Sequence, residues 1–470
     1  MARIKIGKND GKGKKRGGFW DGAMTASLLL LLFRIPLANI IGNEGNGYLA
    51  ISWEVCLLIS MFCGYGFYVV MADMVRKRAR KNLYHNSVRV LTCGLLTGLV
   101  LSVLGGLGIY FFSDALFEKV FFIRAGTIGF KVFSLFLIVS TVNGCIRGYF
   151  EGIGTKVPTR YSKIIEALIA GVEALVFASY FMKYGKKTAN LLLLPSYEAG
   201  FGAAGVVLGL LCGAVISMIF LIIVHRMYQS HFHELLRKDE TRTFESYQSI
   251  IKEIFSGLFI VVAPVFFFKI YRLVNMVLYL NSFEQAQRIN SLKTIGSYYG
   301  RVLLLLFLGI TLILGICGHN AAKIKKAYSL QKIKLVKKYY VEDIRKFLIF
   351  SVPTAILLCV GGEFLLKLFF DSVQKNEIRM LQIGSIYLVL LPLATYGYYI
   401  LSYWNKNAQI LVIFTLSFVL QTLGMAFLVR SSLASFSMVV AEIIFWVSTL
   451  LLQSLYFIKT MDFSIRMNKS

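Results

Sequence analysis

Acidic residues are scarce in this chain of 470 residues, which has 24 aspartates and glutamates against 51 lysines and arginines. The formal net charge at pH 7 is therefore +27. In a soluble protein this charge would favour nucleic acid as a partner, but here the cations lie in short segments between long apolar runs. We therefore predict that the charge sets membrane topology, and we expect no nucleic acid partner.

Paired cysteines and clustered histidines are lacking as well. The seven cysteines stand singly in or beside apolar runs, without C-x-x-C spacing, which argues against a disulfide framework. His231 and His233 lie in a polar stretch with no third ligand, so we predict no metal site, and we expect no cofactor. The predicted outer loops do not exceed about twenty residues, too few for an ordinary catalytic domain, and no His, Asp or Glu cluster recurs in them. We expect that the protein is not an enzyme.

Apolar residues, by contrast, make up 57% of the chain and aromatic residues 14%, more than the core of a soluble domain can hide. They form runs long enough to cross a hydrocarbon layer of ~30 Å. We predict an all-α integral membrane protein with about 12 transmembrane helices in two groups of six. The predicted spans are roughly 19–42, 47–75, 88–112, 127–150, 160–182, 202–226, 251–280, 294–317, 344–370, 381–403, 408–430 and 434–458.

The positions of the cations predict the orientation of these spans. With the N-terminus in the cytoplasm, the basic clusters at 76–81 and 323–338 and the C-terminal cations all fall inside. We therefore predict a multi-pass protein of the cytoplasmic membrane with both termini cytoplasmic. The basic stretch 323–346 is either an amphipathic helix against anionic headgroups or a solvated linker. The predicted parts are a basic tail at 1–18, a six-helix unit at 19–226, a cytoplasmic linker at 227–249, a second six-helix unit at 250–458 and a tail at 459–470.

Three cations lie inside predicted spans, where a charge is costly and suggests a function. Arg34 stands eight residues before Gly42, and Lys269 and Arg272 stand eleven and eight residues before Leu280. These spacings place all three about 12 to 17 Å from the outer face. The alternative is that their side chains extend to the headgroups and bind nothing.

Other polar residues of the spans are weaker candidates. Asn39 and Asn275 follow the deep cations at similar offsets, which suggests an internal repeat. Arg147 lies at the cytoplasmic end of the fourth span, where capping a loop is as plausible as ligand contact. The acidic candidates for ion coupling, which could equally be hydrogen-bonding contacts between helices, are Glu54, Glu166, Glu173 and Glu442.

Two sequence strings carry a family resemblance. The first is F-R-I-P-L at 33–37 with I-G-N-E-G-N-G-Y at 41–48, and the second is R-G-Y-F-E-G at 147–152 with V-P-T at 157–159 and Glu166. Both resemble the SpoVB-like polysaccharide flippases of the multidrug/oligosaccharidyl-lipid/polysaccharide exporter (MOP) superfamily, which includes the multidrug and toxic compound extrusion (MATE) transporters. The second half matches less well, because Asn275 stands where these flippases commonly carry an aspartate.

The resemblance implies two six-helix bundles around a central cavity that opens alternately to each side. It also implies a transporter that flips a polyprenyl-pyrophosphate-linked saccharide or cell-wall precursor outward, in cell-envelope polysaccharide biosynthesis. The expected partners are then this anionic lipid-linked saccharide, membrane lipids and enzymes of envelope biosynthesis. We expect Arg34, Lys269 and Arg272 to share one hydrated cavity and to hold the pyrophosphate, because guanidinium groups bind phosphate oxygens through a planar fork.

Two other functions stay open from the sequence. A multidrug cation antiporter of the same superfamily, exchanging cations for protons or sodium, would need acidic residues in the cavity, and Glu54, Glu173 and Glu442 keep it in view. A non-transporting scaffold of envelope or spore-coat synthesis would tolerate the loss of every cavity charge. The sequence leaves the saccharide and the coupling ion open.

Overall fold

The structure is a computed structural model that describes residues 22–237, 239–240, 243–284, 287–317 and 320–467. Across these residues every regular element is a helix. Lipid offers no hydrogen-bond partner to backbone groups, so a spanning segment must satisfy them within itself, as a helix does. The predicted all-α class is confirmed. The basic tail predicted at 1–18 lies outside the described residues.

Seventeen α-helices account for almost all of the described chain. The first six are α1 (Gly22–Phe62), α2 (Gly64–Ala79), α3 (Tyr84–Ala115), α4 (Thr127–Ile153), α5 (Lys156–Leu192) and α6 (Ser196–Met227). The others are α7 (Gln229–Arg237), α8 (Tyr247–Val262), α9 (Phe266–Asn281), α10 (Arg288–Ser297), α11 (Leu303–Cys317), α12 (Ala321–Ser329), α13 (Ile333–Phe369), α14 (Lys375–Gly384), α15 (Tyr387–Tyr403), α16 (Asn407–Leu428) and α17 (Ser437–Met467).

The described helices agree with twelve crossings. Ten segments are long and apolar enough to cross a membrane, and the bent pair of α14 and α15 makes an eleventh. The first segment, Gly22–Ala79, has 58 residues and would extend about 87 Å as one helix, roughly three hydrocarbon thicknesses. It breaks at Gly42, whose φ of 64° and ψ of −179° are not helical and suit glycine. Its two arms are therefore separate crossings, which gives the twelfth.

The ninth predicted span differs most from the structure. Helix α13 continues through Pro353, Gly361 and Gly362 to Phe369. Membrane helices tolerate such residues because neighbouring groups satisfy the freed backbone. The helix also begins eleven residues before the predicted start at 344, so neither alternative for 323–346, one amphipathic helix or a solvated linker, describes the whole stretch. That stretch is divided between α12 and the start of α13.

The segment between the two groups of helices is attached to the first group. The side chain of Asp239 accepts a hydrogen bond of 2.9 Å from the backbone N of Tyr84. Arg78 on α2 pairs with Glu245 and, at 2.7 Å, with Glu253 on α8. Helix α8, which belongs to the predicted second unit, also packs on α2 and α3 of the first. The division into two bundles at 226 and 250 therefore stays a prediction.

Helix α1 makes most of the contact between the first and second halves. It packs on α5 and α6 of the first half and on α9, α10 and α11 of the second. The approach to α10 is so close that a Cβ on Gly296 would lie 1.7 Å from the carbonyl oxygen of Asn43. Only glycine fits at that position, so the two backbones touch directly near the Gly42 break.

Candidate functional site

A cavity of about 230 Å³ lies between the halves, and we call it the central cavity. Its wall comes from both arms of α1, from α5 and α6, and from α9, α11 and residue 299 of the second half. Most of this wall is leucine, phenylalanine and alanine. The charged side chains that line it are Arg34, Glu54 and Arg272. Charges interact strongly in such a space because apolar walls screen them far less than bulk water does.

Arg272 on α9 joins two carboxylates. Its Nη1 lies 3.8 Å from Oε1 of Glu54, and its Nε lies 3.4 Å from Oε1 of Glu442. Glu54 is on α1 and Glu442 on α17, so the first ion pair crosses between the halves and the second stays within one. The Arg272 guanidinium also lies 5.0 Å from the centroid of the Phe307 ring. Its position in the cavity wall is therefore fixed from several sides.

Glu442 is completely buried and is surrounded by tyrosines. It accepts hydrogen bonds from the hydroxyls of Tyr271 at 3.4 Å, Tyr299 at 3.2 Å and Tyr387 at 3.1 Å. A buried carboxylate is costly unless it is paired and hydrogen-bonded, and here Arg272 and three hydroxyls satisfy that condition. These tyrosines were not predicted from the sequence, because aromatic residues on different helices leave no spacing signal.

Arg34 and Arg272 line the same cavity, as expected, but Lys269 is not part of its wall. Lys269 is three residues before Arg272, which turns its side chain about 60° around the helix axis. Its Nζ lies 4.8 Å from the centroid of the Phe268 ring. Among the described residues, no hydrogen bond or ion pair to the Arg34 guanidinium is found. Arg34 is thus a cation in an apolar wall with its hydrogen-bonding capacity unused.

Arg147 lies in a different polar cluster, among α4, α5 and α6. Its guanidinium donates to the hydroxyl of Ser162 at 2.9 Å, to the carboxylate of Glu166 at 2.5 Å and to the hydroxyl of Ser217 at 2.7 Å. All four side chains belong to the first half. The cluster is not part of the central cavity wall. Arg147 and Glu166 are each other's ion-pair partners.

The remaining sequence candidates also lie outside the central cavity wall. Asn39 donates to the carbonyl oxygen of Phe369 at 2.9 Å, and Asn275 is fully buried against Gln421. Both asparagines therefore connect helices. Glu173 is half-buried on α5. The sequence gives the depth of a residue in the membrane. It does not show whether the side chain faces the central cavity.

The end of the molecule near Gly42 is closed by polar contacts between the halves. Asn43 donates to Oε1 of Glu377 at 3.1 Å, and Glu377 also pairs with Arg301 at 3.4 Å. Both partners of this ion pair are buried. Arg301 is a charge inside a predicted span that the sequence analysis missed, although its position in the eighth span was a readable signal.

The opposite end of the molecule contains a larger cavity. A second cavity of about 580 Å³, which we call the vestibule, lies between α2, α8 and the 398–407 region. Its wall contains Arg76 and Lys77 of the basic cluster at 76–81. The positive-inside prediction assigns this end to the cytoplasm, and the closed end to the outside.

Two cations and one acid line the central cavity, which leaves one positive charge in its wall. Arg34, for which no polar partner is found among the described residues, lines the cavity together with Arg272, whose lining carboxylate partner, Glu54, is 3.8 Å away. Guanidinium groups in an apolar wall bind phosphate or carboxylate oxygens through charge-assisted hydrogen bonds. Over the described part of the chain, no three His, Cys, Asp or Glu side chains are grouped as a metal site would require.

Comparison with known proteins gives both a family and a fold. A protein family described as "Polysaccharide biosynthesis protein" matches residues 21–298. Stage V sporulation protein B of Bacillus subtilis (strain 168) is 20% identical over 232 residues, which cover 48% of this chain and 42% of that protein. The uncharacterized membrane protein YabM of the same organism is 24% identical over 374 residues, covering 75% of this chain and 64% of that one. The chain thus spans less than two thirds of either relative.

Among solved structures, a multidrug resistance MATE family transporter of the MOP superfamily in its inward-facing conformation superposes with a TM-score of 0.67. It is 15% identical, and the match covers 95% of this chain and 96% of that one. This likeness confirms the fold that the sequence resemblance implied.

Proposed function

This chain belongs to the polysaccharide biosynthesis protein family, and from that premise we propose that it flips a polyprenyl-diphosphate-linked saccharide across the membrane. The match over residues 21–298 establishes the membership and confirms the superfamily resemblance of the sequence. The fold is that of MOP superfamily transporters.

The observation that carries the proposal is the pair of arginines in the central cavity. Arg34 has no described polar partner, and Arg272 is directed to the same space. A diphosphate cannot enter hydrocarbon without replacing its lost hydration, and two guanidinium forks supply donors for its oxygens. Arginine suits this task better than lysine because its planar fork can hold two oxygens at once.

The apolar part of the same wall fits the other end of such a lipid. Leu30, Leu31 and Phe307 stand beside the two arginines in the central cavity. Burying isoprenoid carbon against these side chains is favourable at about 25 cal/mol per Å² of apolar surface. One cavity thus offers cations for a diphosphate and apolar surface for the first units of its chain, which is the amphipathic pattern of a lipid-linked saccharide.

A multidrug cation antiporter requires a carboxylate that is available to an organic cation. The acid that lines the central cavity, Glu54, and the buried Glu442, which does not line it, both pair with Arg272. Arg272 engages both carboxylates, and three tyrosine hydroxyls also bind Glu442, so neither is free to bind an organic cation, which favours an anionic substrate.

The direction of transport follows from the threading. The vestibule lies at the end that the basic cluster at 76–81 assigns to the cytoplasm. A substrate made in the cytoplasm would enter there, pass the central cavity and leave on the side that the Asn43 and Glu377 contacts now close. We propose the cytoplasmic membrane as the location, with both termini inside.

Native mass spectrometry of the purified protein with its co-purifying lipids tests this proposal. We expect an adduct with the mass of a polyprenyl diphosphate bearing sugar residues, lost in the variant Arg34→Gln/Arg272→Gln. The matched control is Arg147→Lys, which keeps its charge outside the cavity and should retain the adduct. Retention of the adduct by the double variant would refute the cationic site, and an organic cation in its place would support the antiporter.

A further inference from the structure

The vestibule differs from the central cavity in its charge. Three cations, Arg76, Lys77 and Lys325, and three acids line it, so the charges of its wall sum to zero. Most of them are already paired: Lys77 with Asp73 at 2.7 Å, and Arg76 with Glu151 at 3.8 Å. A diphosphate would find little net attraction here. The vestibule is therefore suited to a polar ligand without net charge.

The uncharged part of the vestibule wall is rich in tyrosines and amides. It contains Tyr65, Tyr68, Tyr398, Tyr403, Asn405 and Asn407. Tyrosine offers an apolar ring face together with a hydroxyl, and asparagine offers both donors and an acceptor. A sugar ring presents the same combination, an apolar face of C–H groups with hydroxyls around its edge. This wall is complementary to sugar rings in both respects.

The vestibule also lies in line with the diphosphate site. Pro264, just before α9, lines the vestibule, and Arg272 on α9 lines the central cavity eight residues later, a separation of about 12 Å at the rise of a helix. The second arm of α1 and the following α2 show the same order, with Leu57 in the central cavity and Tyr65 in the vestibule. A linear ligand can therefore place an anionic group between Arg34 and Arg272 and extend its next polar group into the vestibule.

The sizes of the two cavities support this division. The central cavity of about 230 Å³ is below the range of roughly 300 to 1,000 Å³ that is usual for sites enclosing a drug-sized ligand. The vestibule of about 580 Å³ falls within that range. A headgroup of one or more sugars does not fit beside a diphosphate in the smaller space, but it fits in the larger one.

We infer that the vestibule is a binding site for neutral sugar residues, which holds the saccharide of the substrate while Arg34 and Arg272 hold its diphosphate. This inference rests on the proposed function and adds to it the part of the substrate that is selected. Affinity for the diphosphate then depends on the central cavity alone. The gain in affinity from a sugar depends on the vestibule alone.

Binding of three lipids to the purified full chain tests the inference. The probes are undecaprenyl diphosphate and its derivatives with N-acetylglucosamine and with galactose. We expect at least one sugar derivative to bind the parent about tenfold more tightly than the sugar-free lipid, since two hydrogen bonds of about 0.7 kcal/mol each give that factor. In Tyr65→Ala/Tyr398→Ala this gain should vanish, while undecaprenyl diphosphate binds as in the parent.

A second variant guards against a folding defect. Ser256 is exposed on α8 and lines the vestibule, so Ser256→Trp should fill the space and abolish the gain from the sugar without removing a contact. Phe255 is its neighbour, 48% exposed and absent from the vestibule wall. Phe255→Trp is therefore the matched control and should keep the gain.

The outcomes separate the two proposals. If the parent binds all three lipids equally, and Arg272→Gln weakens all three, the sugar site is refuted and the diphosphate site stands. If the sugar gain survives Ser256→Trp, the sugar is bound elsewhere and the inference fails. If the parent binds none of the lipids, the proposed function fails, and the inference with it.

Discussion

Arg147 and Arg272 are both membrane arginines that pair with glutamates, yet their surroundings differ. Arg147 is surrounded by α4, α5 and α6, with Glu166, Ser162 and Ser217 as partners, so its contacts stay in one half. Arg272 pairs with Glu442 in its own half and with Glu54 across the boundary. It also lines a cavity, and Arg147 does not line it.

The difference indicates that Arg147 stabilises the packing of helices, whereas Arg272 is available to bind substrate. A buried arginine whose donors are used within one group of helices holds those helices together. An arginine whose longest ion pair is a 3.8 Å contact across a boundary can exchange that partner for a substrate oxygen. An anion that takes the place of Glu54 would also loosen a contact between the halves, which alternating access requires.

Substitution of each arginine by glutamine should separate the two roles, and it is the largest effect that we predict. Arg272→Gln should lower the affinity for undecaprenyl diphosphate by at least about tenfold, because a hydrogen bond to a charged group contributes about 1.5 to 3 kcal/mol. Arg147→Gln should instead lower the melting temperature in detergent and leave the affinity within about twofold, since its partners do not line the cavity.

Affinity and thermal unfolding are measured on the same preparations. Arg272→Lys, which keeps the charge, is the control for the two carboxylates that Arg272→Gln leaves without a cation. A loss of affinity in Arg147→Gln as large as that in Arg272→Gln would remove the distinction between the two arginines.

Position 34 should show that guanidinium geometry, and not charge alone, holds the diphosphate. Arg34→Ala should reduce transport more than Arg34→Lys, and Arg34→Lys should still fall short of the parent because lysine lacks the fork. Initial rates in proteoliposomes, normalised to inserted protein, measure this order. Equal rates for the parent, Arg34→Lys and Arg34→Ala would mean that Arg34 only extends to the headgroups.

Glu54 should compete with the substrate for Arg272. Glu54→Gln removes a negative charge that lies 3.8 Å from Nη1 of Arg272, so the affinity for undecaprenyl diphosphate should rise by about threefold to tenfold, a modest electrostatic gain at partly screened positions. Titration at two salt concentrations checks the cause, because the gain should shrink at higher ionic strength. A fall in affinity would show that Glu54 helps to hold the substrate.

The smallest effect is predicted for an acid outside the cavity. Glu173 is half-buried on α5 and does not line the central cavity, so Glu173→Gln should leave lipid transport unchanged within error. Export of ethidium by the parent that disappears in Glu173→Gln would favour the cation antiporter instead.

The sequence predicted what depends on local pattern. The spans followed from apolar runs, and the shared depth of Arg34 and Arg272 followed from counting residues from Gly42 and Leu280. Depth does not fix the direction of a side chain around its helix. For that reason Lys269 was expected in the wall of the central cavity, where the structure does not place it.

Contacts between helices far apart in the chain could not be predicted from the sequence for a related reason. Glu442 is satisfied by hydroxyls of Tyr271, Tyr299 and Tyr387, which lie up to 171 positions from it in the chain. The pairing of Arg272 with Glu54 likewise requires α1 and α9 to be packed together first. Such contacts depend on which helices pack together in the folded protein, and the sequence pattern of a single helix does not show this.

The most direct test of the account is transport of a fluorescent undecaprenyl-diphosphate sugar in proteoliposomes by the parent and by Arg34→Gln/Arg272→Gln. Both proteins must insert equally, as measured by protease protection and by yield. We predict that the parent flips the lipid and that the double variant falls to the rate of protein-free liposomes, because the diphosphate has lost both of its guanidinium partners. A double variant that flips the lipid at the parental rate would contradict the cationic cavity on which the account depends.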